Sequence, residues 1–175
     1  MRNENKRKRK TCQGYNRNMI DRNRLAYRKS TAAVVINEKG EVLIVSVASY
    51  KENEWSIPGG GTEEGETAEQ AIIRELGEEL RSDNFEIIKK SQQVDVYDWP
   101  DEVIEKRLKE KGKTYRGQEK IQFWIKFTGS EEEIKIDPKE IREVKWVRPN
   151  ELQPYLIFPN QYEKTKKLLE EFGII

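Results

Sequence analysis

The sequence predicts a single domain of the α/β (α+β) class, built on a mixed β-sheet. Two patterns carry the prediction. Short β-branched or alternating runs lie on both sides of one central helical repeat, and a second amphipathic repeat closes the chain. Length agrees with this, since 175 residues bury one proper core and leave little for a second.

Residues 1–26 show no sustained periodicity and are expected to form a flexible basic arm, leaving residues 27–175 for the domain. Thr31–Asn37 and Glu41–Ala48 are apolar, β-branched runs parted by Glu38-Lys39-Gly40, which predicts a hairpin. Trp55–Pro58 reads as a short strand ending at the Gly59-Gly60-Gly61 turn. Thr67–Leu80 follows as a helix. Thr67 is its N-cap, Gln70 completes a capping box, and Ile72, Ile73, Leu76 and Leu80 line one side.

Phe85–Val96 is a further strand, and Asp101–Gly117 a lysine-rich excursion with a short helix over Val103–Leu108. Gln118–Thr128 alternates as a strand should, and Val144–Val147 is a last short strand. Gln161–Phe172 closes the domain as a helix with Leu168, Leu169 and Phe172 inward.

Apolar residues make up 35% of the chain and charged residues 37%, which is polar but not depleted enough for disorder throughout. The single Cys12 excludes an internal disulfide and a cysteine zinc cluster, and fits a reducing, cytoplasmic setting. No apolar run approaches the roughly 20 residues that span a bilayer, so no membrane partner is expected. The basic N-terminus lacks the apolar segment of a secretory signal.

The net charge of +1 conceals an asymmetry: residues 1–29 hold 11 of the 33 basic side chains but 2 of the 32 acidic ones. A basic arm on an acidic body suits polyanions, and it also reads as a solubilising tail. Lys6–Lys10 would serve as a nuclear address in a eukaryotic source.

Glu75, Glu78 and Glu79 fall at i, i+3 and i+4, so their carboxylates share one face of the central helix. Three glutamates alone would be a solvated face. Gly77 argues otherwise, because a glycine inside a helix costs about 1 kcal/mol against alanine. The chain has no histidine, which leaves carboxylates as the main candidates for metal binding and acid–base work. Hard divalent cations take carboxylate and main-chain oxygens, and the triple-glycine turn can bring carbonyls to the same point.

Gly60, then Glu66, then Arg74-Glu75-Leu76-Gly77-Glu78-Glu79 resembles the signature of the Nudix hydrolases, in the strand–turn–helix context the motif needs. The resemblance covers roughly residues 27–172 and implies a mixed sheet sandwiched between helices. It departs where the family continues with glycine and an aliphatic residue, here Arg81 and Ser82. Altered local geometry, not lost activity, is expected there. The resemblance implies that Glu75, Glu78 and Glu79 hold Mg2+ or Mn2+ ions with help from the Gly60 carbonyl. It implies that Arg74 and Glu66 brace the loop against the helix, and that water attacks a phosphoanhydride phosphorus.

Thr67-Ala68-Glu69-Gln70-Ala71, Tyr97 and Pro100, Gly117-Gln118 and Lys145-Trp146-Val147 resemble one branch of the family. That branch contains the bacterial RNA 5′-pyrophosphohydrolases and the related diadenosine tetraphosphate hydrolases. Tyr27-Arg28 looks like the start of the RNA enzymes, which implies that Arg28 contacts nucleic acid near its 5′ end. Glu140 aligns with a further metal-site carboxylate, a candidate general base, and reads equally as an ordinary loop glutamate. Phe158, or else Tyr155, would offer a ring for a base to stack on, with core packing the other reading of either. Tyr97 lines the pocket or is structural. Lys113, Arg116 and Lys120 could meet substrate phosphates, but in so lysine-rich a stretch they read better as solvated surface. The arm favours triphosphorylated RNA 5′ ends as substrate. Diadenosine tetraphosphate or another nucleoside polyphosphate is the alternative, and a non-catalytic RNA-binding module a remoter one.

Overall fold

The computed structural model describes residues 20–175, so most of the expected arm lies outside the described residues. Among these residues β1 (Tyr27–Ile36), β2 (Val42–Val47), α1 (Ala68–Leu80), β3 (Phe85–Asp98), α2 (Asp101–Lys111), β4 (Gly117–Phe127), β5 (Ile141–Val147) and α3 (Gln161–Phe172) follow in order. The strands form one sheet in the order β3-β4-β1-β2-β5. β1 and β4 run parallel and the other neighbours antiparallel, so the sheet is mixed as predicted.

β1 lies at the centre and is apolar without alternation from Ala32 to Ile36 because helices cover both of its faces. Ala33 and Val35 pack with Ile72, Leu76 and Leu80 of α1, whereas Val34 and Ile36 pack with Leu168, Leu169 and Phe172 of α3. The period of two along a strand sends alternate residues to opposite layers.

Thr67 caps α1 as predicted: its hydroxyl accepts from the Gln70 N–H at 3.2 Å, and the Gln70 side chain accepts from the Thr67 N–H at 2.9 Å. Ile73 departs from prediction. It stands 36% exposed while Ile72, Leu76 and Leu80 are fully buried, because the stripe facing the sheet is completed by Ala71.

Trp55–Pro58 is not a strand. Ser56 exchanges two hydrogen bonds with Val45, at 2.8 and 2.9 Å, and there the pairing stops. The next residues wedge between β1 and β2 instead. The Pro58 carbonyl accepts from the Ala33 N–H at 3.0 Å and the Gly60 carbonyl from the Thr31 N–H at 2.8 Å. Pro58 has no N–H with which to continue a ladder. β1 and β2 therefore meet directly only at the hairpin end, where Ile36 faces Val42.

Four elements are longer than predicted, each where burial is one-sided and the apolar period faint; one is β3, which runs on to Asp98. β1 begins at Tyr27, since polar Tyr27–Ser30 pairs with Gly117–Lys120. β5 begins at Ile141, and α2 extends over Asp101–Lys111 with Ile104 its one fully buried residue. Just before β1, Arg22 pairs with Asp101 at 2.6 Å and the Ala26 carbonyl accepts from the Arg116 N–H, which ties residues 21–26 to the domain.

α1 ends on Arg81 in the left-handed conformation, φ 48° and ψ 42°, where glycine would be relaxed and an L side chain costs about 1–2 kcal/mol. Arg81 pairs with Asp137 at 2.7 Å, and the Ser82 hydroxyl accepts from the Asn84 N–H at 3.3 Å. The left-handed turn that suits glycine is kept, in a strained form, with Arg81 in its place.

The two faces of α1 predict opposite responses in chemical denaturation. Leu76→Ala should lower unfolding free energy by about 2–5 kcal/mol, and Ile73→Ala by far less, within about 1 kcal/mol. Equal losses would mean that the helix packs in another rotation.

Candidate active site

The glycine turn is seated against α1 by close contacts that leave no room for side chains. Gly59 has φ +146°, and a Cβ there would overlap the Thr31 carbonyl. A Cβ on Gly60 would overlap the carboxylate of Glu75. The turn and the glutamate helix thus touch at one point.

Arg74 holds that contact together. Its guanidinium donates to Glu66 at 2.8 and 3.0 Å, to the Gly61 carbonyl at 2.9 Å, to Glu75 at 3.1 Å and to Glu78 at 3.2 Å. The Arg74 bonds, aided by the Glu63 N–H, hold the Glu66 carboxyl down at about 2. The Arg74–Glu66 pair is the brace that the family resemblance implied.

Glu79 is the most buried of the helix carboxylates, 7% exposed, and its Oε2 has no hydrogen-bond partner. Burial first, and then the charge of Glu75, push its pKa up to about 8. Glu75, also raised by burial, is partly offset by Arg74. Glu78 sits at the rim with its side chain 54% exposed. Among the described residues no three acidic, cysteine or histidine side chains converge tightly enough for a metal cluster, because Arg74 draws Glu75 and Glu78 to itself. The donor set still fits a hard divalent cation. It comprises an orphaned buried carboxylate oxygen, a second carboxylate pressed on the turn, and a Gly60 carbonyl with one lone pair left after its bond to Thr31.

Beside this wall opens a cavity of about 230 Å³, lined by Arg28, Tyr97, Gly60 and Glu79 of the predicted residues. The Tyr97 hydroxyl bonds the Gln118 side chain. Glu140 stands on the exposed turn before β5, and its charge is among those that raise Glu79.

Phe158 does not line the cavity; it packs edge-on against Tyr50, centroids 5.2 Å apart, and Tyr50 does line it. Tyr155 is half-buried and packs against the core cluster that includes α3, edge-on to Trp55 at 6.1 Å. Arg116 pairs with Asp98 at 2.9 Å, away from the cavity. Lys120, which the sequence left between phosphate contact and a preferred solvated surface, lines the cavity, as do Asp95 and Lys164, which the sequence did not single out. The signal was the polar alternation Gln118, Lys120, Gln122 on a strand that turns apolar at Trp124.

A family model described as the NUDIX domain matches residues 26–171. The chain belongs to the Nudix family. A protein of Sphingopyxis alaskensis named RNA pyrophosphohydrolase is 36% identical over 159 residues, covering 89% of this Nudix chain and 98% of its own. One of the same name from Novosphingobium aromaticivorans is 33% identical over 154 residues, covering 85% and 93%. Among solved structures, the E. coli dihydroneopterin triphosphate pyrophosphohydrolase matches with a TM-score of 0.64 at 19% identity, covering 83% of this chain and 98% of its own. That likeness speaks for the fold alone. As a Nudix hydrolase the chain acts on phosphoanhydride bonds, and the family generally uses divalent metals.

Two outcomes follow from the Gly60–Glu75 contact and the buried Glu79. Gly60→Ala should leave circular dichroism unchanged while hydrolysis falls about a hundredfold, since displacing a positioning group by an ångström has that effect. Glu79, whose folded pKa lies above its unfolded one, supports the metal-free fold fully below about pH 4.5, and that support is lost as pH rises through about 8. With no histidine to titrate in the same window, thermal melts in chelator should fall from pH 5 to pH 8. Glu79→Gln should flatten that slope; an unchanged slope would remove Glu79 as its cause.

Proposed function

We propose that this chain removes pyrophosphate from triphosphorylated RNA 5′ ends in the cytoplasm, with Mg2+ or Mn2+ as its ion. The observation that carries the reading is end-to-end similarity to proteins named RNA pyrophosphohydrolase, which spans 98% of the Sphingopyxis protein. The cavity supports it chemically, because Arg28 and the buried Glu79 line one space a polyphosphate can enter.

Glu75, Glu78, Glu79 and the Gly60 carbonyl are the residues that would hold the metal. When bound, such an ion neutralises the polyphosphate and acidifies the attacking water. Glu79 Oε2, buried and without a partner, is ready to hold a proton, and Glu140 is the exposed carboxylate beside it suited to accept one from water. Arg74 acts through the loop, keeping the Glu75 carboxylate on Gly60. Arg28 binds phosphate, and Tyr97, tied to Gln118, shapes the wall behind it. Phe158, reached through Tyr50, backs a surface on which a base could stack; Tyr155 stabilises the core instead. The arm extends contact along the RNA backbone.

Rates on triphosphorylated RNA, diadenosine tetraphosphate and free nucleoside triphosphates, compared side by side with magnesium, test the substrate. RNA should be favoured, and Glu79→Gln should reduce its turnover by at least about a hundredfold. Deleting residues 1–19 should weaken RNA turnover and flatten its salt dependence, with little effect on diadenosine tetraphosphate. Faster turnover of diadenosine tetraphosphate would overturn the RNA reading and leave the hydrolase.

A further inference from the structure

The floor of the cavity consists of two rungs of the sheet. Arg28 of β1, Gln118 of β4 and Tyr97 of β3 lie side by side in one, and Ser30, Lys120 and Asp95 in the next. Residues two apart on a strand share a face, and all six line the cavity. Lys164 of α3 reaches onto this floor and pairs with Asp95 at 2.7 Å, so the only carboxylate of the two rungs is already neutralised.

Lys120 is the charge left over. Its ammonium lies over the Tyr97 ring at 5.5 Å, and that of Lys164 over the same ring at 4.9 Å. Among the described residues Lys120 forms no ion pair, whereas Lys164 does. Burial lowers the Lys120 pKa most; Asp95 opposes this and Lys164 adds to it. A strand selected for stability alone would carry an uncharged side chain here, since a partly desolvated ammonium without a counter-ion opposes folding. An anion in the cavity would supply that counter-ion.

We infer that Lys120 is a phosphate-binding residue, a second cation that joins Arg28 in gripping the substrate's polyphosphate from the sheet floor, opposite Glu79. The identity of the substrate rests on the reading above; the anion site itself requires only a polyphosphate that fits the cavity. Lys164 is then a positioning residue. By occupying Asp95, it keeps the Lys120 ammonium free for phosphate.

Inorganic pyrophosphate is the probe, titrated calorimetrically into the full chain with magnesium present. Lys120→Gln should weaken binding about tenfold or more, as expected for losing a charge-assisted hydrogen bond, and Lys120→Arg should recover most of it. Lys120→Gln should also melt no lower than the parent. Unchanged pyrophosphate affinity with a lowered melting temperature would mark a structural lysine and overturn the inference. In the parent, pyrophosphate should shift the Lys120 ε-methylene resonance, and no shift at saturation would overturn the inference without any variant. In turnover the loss should fall on KM, with kcat nearly unchanged. A parent inactive on triphosphorylated RNA, in which Lys120→Gln still weakens pyrophosphate binding, would reject the RNA reading and support the phosphate site.

Discussion

The fold depends on a wedge. The segment from Ser56 to Gly61 takes hydrogen bonds from both β1 and β2 and holds these strands apart everywhere but at their hairpin end. Peptide groups at the centre of a sheet cannot go unpaired, so the wedge must supply the bonds that the strands would otherwise give each other. This requirement fixes the position of the turn, and with it the Gly60 carbonyl and the surface on which Glu75 rests. Arg74 then locks helix to turn from the other side.

Charge in the site is organised by burial more than by number. Glu66 is low because Arg74 is its close partner, while Glu79, four residues beyond Glu75 on the same face, is high because protein surrounds it and Arg74 does not reach it. In a low-dielectric wall an unpaired carboxylate is costly unless a cation or a proton meets it. The sheet floor carries the opposite imbalance: among the described residues Arg28 and Lys120 form no ion pair, and Lys164 is spent on Asp95. A cavity with an acidic wall and a basic floor is suited to a metal-bound polyphosphate, whose two parts carry the complementary charges.

Much of the fold was legible because burial was regular. α1 and its capping box, α3 and the strand before Phe127 follow from periods of 3.6 and 2. Legibility failed where backbone, not side chains, made the structure. Trp55–Pro58 has the composition of a strand, but its hydrogen bonds go to two partners in turn. Tyr27–Ser30 looks like an approach to a strand because Arg28 and Ser30 face a cavity, not a core.

The sequence by itself determined the chemistry available. Glutamates at fixed helical spacing, a glycine turn ahead of them, and the absence of histidine restrict the metal donors and proton carriers, since these depend on residue type and local period alone. Only the tertiary structure decided which charges are matched. Lys120 and Arg116 lie four residues apart in one basic stretch, yet Arg116 meets Asp98 outside the cavity while Lys120 enters it with its nearest carboxylate already taken. Pairing depends on which side of the sheet a side chain emerges and on what the neighbouring strand and α3 place opposite it. Those partners lie as far as 69 residues away in the chain, as Lys164 does from Asp95, beyond the reach of any local pattern.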